Sequence, residues 1–318
     1  MTRSTTALIA GAAALITLAA CETATVEAET GDLSRIDLAE QMGADPVYAD
    51  PQTIDPDFPP AIAELAFESH GARLNGIAYL ANGPGPHPTF FILHGFPGNE
   101  KSLDVAQSLR RAGFNTVFFH YRGAWGSGGA FSFANVIEDV AVAKAYVAGR
   151  ASDLRIDPDK IGLIGHSMGG FAALHAAARD PGLTCVGGLA AADFGATAQR
   201  LSKDAEARAG FEAYSGYLAA GPLSGTSGEA LVAEVVASAE AFNVRALASR
   251  LAGKRVLLIA ANSDEAVNVE TVHEPMSAAF AAQDGLDLTS VRLDGDHSFS
   301  WTREALTREV LAWADGCR

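Results

Sequence analysis

The sequence predicts an α/β protein: one mainly parallel, eight-stranded sheet flanked by helices, with a helical insertion capping one end. Three observations carry this. Short β-rich apolar runs alternate with longer amphipathic ones through residues 61–318, a G-x-S-x-G pentapeptide sits at a strand-to-helix junction, and a histidine follows the last strand signal. At 318 residues, with 48% apolar and 19% charged side chains, the chain has ample material for a core, which excludes disorder and disulfide-stapled mini-folds. A net charge of −15, with no basic cluster to offset it, argues against nucleic-acid partners.

Taken in chain order, residues 1–20 read as an export signal. Arg3 precedes an uncharged run from Ala7 to Ala20, too short for a bilayer span of about 20 residues. Leu18-Ala19-Ala20-Cys21 resembles the lipobox of bacterial lipoproteins, which implies cleavage before Cys21 and acylation of its thiol. The expectation is a body held on a membrane surface of the bacterial cell envelope by a lipid anchor, facing periplasm or exterior. Residues 21–60 read as an acidic tether: Glu22 to Asp57 hold ten Asp or Glu against one Arg.

Strands are expected at Leu65–Ser69, Leu74–Leu80, Thr89–Leu93, Thr116–Tyr121, Ile161–Ile164, Thr184–Leu189, Val256–Ala260 and Thr289–Leu293. The first two adjoin directly and suggest an antiparallel hairpin. Helices are expected around 101–112, 135–149, 168–179, 268–283 and 301–314. Residues 194–252 lack strand signals but hold two Ala-rich helical stretches, about 196–219 and 229–251, split by GPLSGTSG, and read as a helical cap. Cys185 and Cys317 fall at the end of the sheet remote from the motif. They could pair in an oxidising envelope, or Cys185 is simply a small buried hydrophobe.

The chemistry concentrates in Lys160-IGLIGHSMGG-Phe171. Ser167 must stand clear of the sheet on a sharp turn, and Gly165 and Gly169 remove the Cβ atoms that would clash there. A hydroxyl needs a base, and the base an orienting acid. His297, in LDGDHSFS after the last strand, is the expected base; His273 falls inside a helix. Asp264, after RVLLIAA, is the expected acid, with Glu265, Asp193 and Asp296 as competitors. Backbone donors for an oxyanion are expected from Met168 and, in His94-Gly95-Phe96-Pro97-Gly98, from Phe96, because Pro97 has no N–H. His120 and Tyr121 are expected to pack in a cleft wall, His175 in the core, and His166 to point away from the nucleophile.

These motifs in this order resemble the α/β-hydrolase superfamily over residues 62–316. FHYRGAWGSGG, residues 119–129, looks like a loop of its dienelactone-hydrolase-like and prolyl-oligopeptidase-like branches, where it implies a wall of the cleft. HGFPG resembles epoxide hydrolases and haloalkane dehalogenases, but those carry Asp where this chain has Ser167, which disfavours their chemistry. No P-loop, H-E-x-x-H or dinucleotide fingerprint occurs, so no metal or other cofactor is implied. The resulting expectation is a serine hydrolase acting on a small-molecule ester. A serine peptidase taking short peptides shares the same triad, and a non-catalytic binding lipoprotein is the remaining alternative.

Overall fold

The computed structural model describes residues 45–318; the signal segment, Cys21 and the tether as far as residue 44 lie outside the described residues. Strands β1 (Ala61–Ser69) and β2 (Ala72–Leu80) form the expected hairpin. Its two-residue turn, His70-Gly71, takes positive φ at both positions, 50° and 78°, the geometry that matches the twist of paired strands. β2 runs antiparallel to β4 (Asn115–Phe119), and every later pairing is parallel. With β3 (His87–Leu93), β5 (Ile156–His166), β6 (Cys185–Leu189), β7 (Arg255–Ala261) and β8 (Asp287–Leu293), the sheet order is β1-β2-β4-β3-β5-β6-β7-β8.

Both faces of this sheet are covered, so the later, buried parts of its central strands are apolar while each side chain still has a side. Phe90 and Ile92 of β3 join Ile164, Leu257 and Ile259 under helices α1 (Leu103–Arg111) and α8 (Arg303–Asp315). Their neighbours Phe91 and Leu93 join Leu163, Val186 and Leu258 under α2 (Phe133–Ala148) and α3 (Met168–Ala177). The helix after β3 therefore lies on one face and the helix after β5 on the other, though these strands are adjacent. Such a reversal opens a crevice at their carboxyl ends. Asp139, on α2 and fully buried, closes the underside of the loop after β4 through the Arg122 N–H (2.8 Å) and Arg122 Nε (2.7 Å).

Between β6 and β7 the chain departs from the expected pair of long helices. Asp204 is extended (φ −123°) and caps the N–H groups of Glu206 and Ala207, splitting the first stretch into α4 (Phe194–Lys203) and α5 (Ala205–Ala219). The second stretch ends as a helix early: α6 spans Gly228–Ala237, and a short 3₁₀ segment follows at Arg245–Leu251. The helix expected at 268–283 is likewise a π turn at Val269–His273 followed by α7 (Glu274–Ala281), with Pro275 in the first turn of α7, where its missing N–H costs nothing.

Cys185, opening β6, and Cys317, just past α8, form a disulfide with Cα atoms 6.2 Å apart. The end of α1 gathers distant parts of the chain. Arg111 donates to the carbonyls of Pro46 (2.6 Å) and Val47 (2.8 Å), and Arg318 to that of Ala112 (2.7 Å). Among the described residues no helix is long and apolar enough to cross a membrane.

Candidate active site

Ser167 occupies the junction of β5 and α3 with φ 54° and ψ −117°, a conformation disfavoured for a residue with a side chain. The glycines around it make the turn sterically feasible. A Cβ at Gly165 would lie 2.0 Å from the Gly169 carbonyl oxygen, and one at Gly169 would lie 2.0 Å from the Leu93 carbonyl oxygen. The turn is pinned to the end of β6 on both sides: Ser167 N–H donates to Leu189 O (2.9 Å) and Ala192 N–H to Ser167 O (3.0 Å).

Asp264, 4% exposed in the loop after β7, divides its oxygens between two jobs. Oδ1 accepts the N–H groups of Ala266 (2.8 Å) and Val267 (2.7 Å), which fixes the carboxylate; Oδ2 lies 2.7 Å from Nδ1 of His297, in the loop after β8. A carboxylate only accepts, so Nδ1 carries the proton and Nε2 of His297 keeps a free lone pair. The competing acids are occupied elsewhere. Asp193 caps α4 through Gly195 and Ala196 and faces Arg245 at 3.2 Å, and Asp296 binds Ser298 and Ser300 within its own turn. Glu265 is exposed.

The His166 ring turns toward the loop after β8: Nε2–H donates to the carbonyl of His297 at 2.7 Å, and the two rings lie 4.8 Å apart. The residue beside Ser167 thus holds the loop that carries His297. Burial, then the neighbouring His297, push the His166 pKa down to about 4, so the ring is neutral at pH 7 with its proton on the donating nitrogen. Its Nδ1 is buried and unpartnered.

The HGFPG loop packs directly on the Ser167 turn: a Cβ at Gly95 would stand 3.1 Å from both Ser167 Cβ and His166 Nδ1. Three of its carbonyls are held by side chains, one from the loop itself and two from the loop after β4. His94 Nδ1–H donates to Gly95 O (2.8 Å), Tyr121 OH to His94 O (3.2 Å) and Trp125 Nε1–H to Pro97 O (2.8 Å), while His120 Nδ1 approaches His94 Nε2 at 3.3 Å. Burial, then His120, takes the His94 pKa to about 3, and burial, then Lys101, takes that of His120 to about 4; both rings are neutral. Met168 opens α3, so its N–H has no acceptor within the helix, and no protein acceptor meets the Phe96 N–H among the described residues. The expected wall loop is stitched to the helical insertion, where Ala124 bridges Leu223 and Trp125 N–H donates to Pro222 O (2.8 Å). His175 is buried against Phe171, and His273 is buried with Nε2 3.2 Å from Ser290 Oγ, away from Asp264 and His297. Among the described residues no group of three or more His, Cys, Asp or Glu is placed to hold a metal.

Residues 90–310 match the sequence profile of the alpha/beta hydrolase family. The chain belongs to that family. Among solved structures, this hydrolase-family chain is similar to Est1E from Butyrivibrio proteoclasticus (TM-score 0.58, 19% identity), covering 80% of this chain and 98% of that one. It is similar to the Pyrococcus furiosus esterase Pf2001 (TM-score 0.59, 16% identity, 84% and 97% covered). A third likeness is to EstE1, a thermostable carboxylesterase cloned from a metagenomic library (TM-score 0.58, 18% identity, 89% and 97% covered). No curated protein sequence matches the chain. The contributions of His166, Tyr121 and Trp125 are not apparent from motif spacing. The advance signals were that Tyr121 and Trp125 lie in the expected wall loop and His166 in the nucleophile motif.

Proposed function

We propose that this protein is a serine hydrolase that cleaves carboxylic esters through an acyl-enzyme. The observation that carries the reading is the 2.7 Å contact of His297 Nδ1 with a buried, doubly capped Asp264, on a loop clamped to the residue beside Ser167. His297 Nε2 takes the Ser167 proton as Oγ attacks the ester carbonyl, and Asp264 stabilises the imidazolium that forms. The N–H groups of Phe96 and Met168 receive the oxyanion. Collapse of the tetrahedral intermediate returns the proton to the leaving alcohol; water, deprotonated by the same nitrogen, then releases the acid and restores Ser167.

Ester chemistry is favoured over peptide cleavage because the similar structures named as esterases span nearly the whole body. We read the helical insertion as a cap that limits substrate size, and the chain as exported, lipidated at Cys21 and held on an envelope membrane, with the Cys185–Cys317 bond suited to an oxidising compartment. Fluorophosphonate labelling, together with turnover of p-nitrophenyl butyrate against Ala- and Pro-p-nitroanilides, tests the reaction. Labelling lost in Ser167→Ala and a strong ester preference are expected. Preferential anilide cleavage would make it a peptidase, and an unlabelled wild type would remove the hydrolase reading. Loss of the membrane fraction in Cys21→Ser tests the anchor.

A further inference from the structure

The aromatic side chains around Phe96 fall into two layers. Phe131, Phe133 and Phe194 are buried at 2%, 0% and 5% exposure and belong to the core, where Phe133 and Phe194 lie 4.2 Å apart. Above them, Phe96 stands 5.6 Å from Phe131 and 5.3 Å from Phe133, and meets two rings of α5: Phe211 nearly parallel at 6.4 Å and Tyr214 edge-on at 6.1 Å. This outer layer is open. Phe96 and Phe211 are only partly buried, and Tyr214 is 49% exposed. Phe211 and Tyr214, three residues apart, share one face of a helix that buries only Ser215 and Leu218. Rings needed only to fasten α5 to the body would be covered by it. Here they stay partly open although packed against it, and the cluster is tied to the site through the backbone: a Cβ at Gly95, the residue before Phe96, would stand 3.1 Å from Ser167 Cβ.

We propose that Phe96, Phe211 and Tyr214 form a subsite for the aryl group of a neutral ester, with Tyr214 deciding the preference for an aromatic over a saturated ring. This rests on the esterase reading above. Offset and edge-to-face geometry rewards a flat ring beyond its apolar area, and Tyr214 adds a polar tip for a ring substituent. A net charge of −15 disfavours anionic ligands.

Two substrate pairs test it on the full chain, each keeping the ring two methylenes from the reacting group so that intrinsic reactivity is matched. One pair is methyl 3-phenylpropanoate and methyl 3-cyclohexylpropanoate; the other is 2-phenylethyl and 2-cyclohexylethyl acetate. The wild type should favour the phenyl member of at least one pair in kcat/KM, although cyclohexyl is the more hydrophobic ring, and the pair showing the preference tells which half of the ester carries the aryl group. Tyr214→Ala should cut the phenyl-to-cyclohexyl ratio about fivefold to tenfold, and Tyr214→Phe should restore most of it. Tyr217→Ala, on the same helix but 76% exposed and with no ring partner among the described residues, should leave the ratio unchanged. A labelled, active enzyme with no phenyl preference in either pair, or an unchanged ratio in Tyr214→Ala, overturns the subsite while the hydrolase reading stands. An equal fall in Tyr217→Ala also overturns it. Failure of wild-type fluorophosphonate labelling overturns both.

Discussion

Replacing both bridging cysteines, as Cys185→Ala with Cys317→Ala, should lower stability far more than it lowers activity. The bond joins residues 132 apart, so in the unfolded chain it forbids a large loop from opening, which is worth about 5 kcal/mol in the chain-entropy description. Cys185 is also buried in the same apolar cluster as Phe90 and Trp313, and its lost sulfur contributes about another 1 kcal/mol. At roughly 2 cal/mol/K of unfolding entropy per residue over the folded body, the sum corresponds to a Tm lower by about 10 °C. Differential scanning calorimetry of the variant and the oxidised wild type, at one scan rate, measures it. Cys185 opens its strand, whereas Ser167 follows the far end of the neighbouring parallel strand, so kcat/KM on p-nitrophenyl butyrate at 25 °C should stay within about twofold. A Tm change below about 2 °C, with mass spectrometry showing the wild-type bond formed, would refute the loop-closure argument.

Among the remaining predictions, Asp264→Asn should lower kcat by about 10⁴ and His297→Ala by about 10⁶, because the amide oxygen can still accept from Ala266 and Val267 and keep the loop folded; stopped assays with the Ser167→Ala variant as baseline decide the order. His166→Phe removes the donor to His297 O and should cost about tenfold to a hundredfold in kcat with little change in KM, and His166→Gln should recover part of it; equal losses in both variants would mean that ring packing alone matters. Stability should fall as pH drops from about 6.5 towards 4. Burial first of all holds His94 at about 3 and His120, His166 and His175 at about 4, so the unfolded chain binds protons in that window while the native state does not, at up to about 1 kcal/mol per pH unit for each ring. Urea midpoints at pH 7 and pH 5 measure this; relief of the net negative charge acts with the opposite sign, so a midpoint that rises towards pH 5 would show that the histidines do not dominate.

The parts of the fold legible in the sequence were those set by local chemistry. Alternating apolar runs marked all eight strands, and Gly165 and Gly169 marked a turn that tolerates no Cβ. Asp264 and His297 were marked as candidates because each falls in a loop after a late strand signal, and the structure places Asp264 Oδ2 2.7 Å from His297 Nδ1. Asp204 looked like one polar residue in a helical stretch, and only its cap on the next two N–H groups reveals the break. Pro275 was visible, but the π turn before it depends on how the segment packs. The partner of His166 was not legible because backbone geometry at the turn says nothing of the loop 131 residues later whose carbonyl its ring meets. The disulfide stayed open for the same reason: spacing brings Cys185 and Cys317 to one end of the sheet, but it is the packing of α8 on the sheet that sets their Cα atoms 6.2 Å apart.

The gathering of Pro46, Val47 and Arg318 at the last turn of α1 has a practical corollary for rewiring the polypeptide. Residues 46 and 318 both dock at that turn, so a flexible Gly-Ser bridge of about ten residues, with a root-mean-square span of roughly 18 Å, is a reasonable join. New ends could then be opened between Gly225 and Thr226, in the solvent-facing turn preceding α6. Such a permutant would keep every strand neighbour while presenting its ends beside α5, a ready attachment point for a reporter that senses occupancy there.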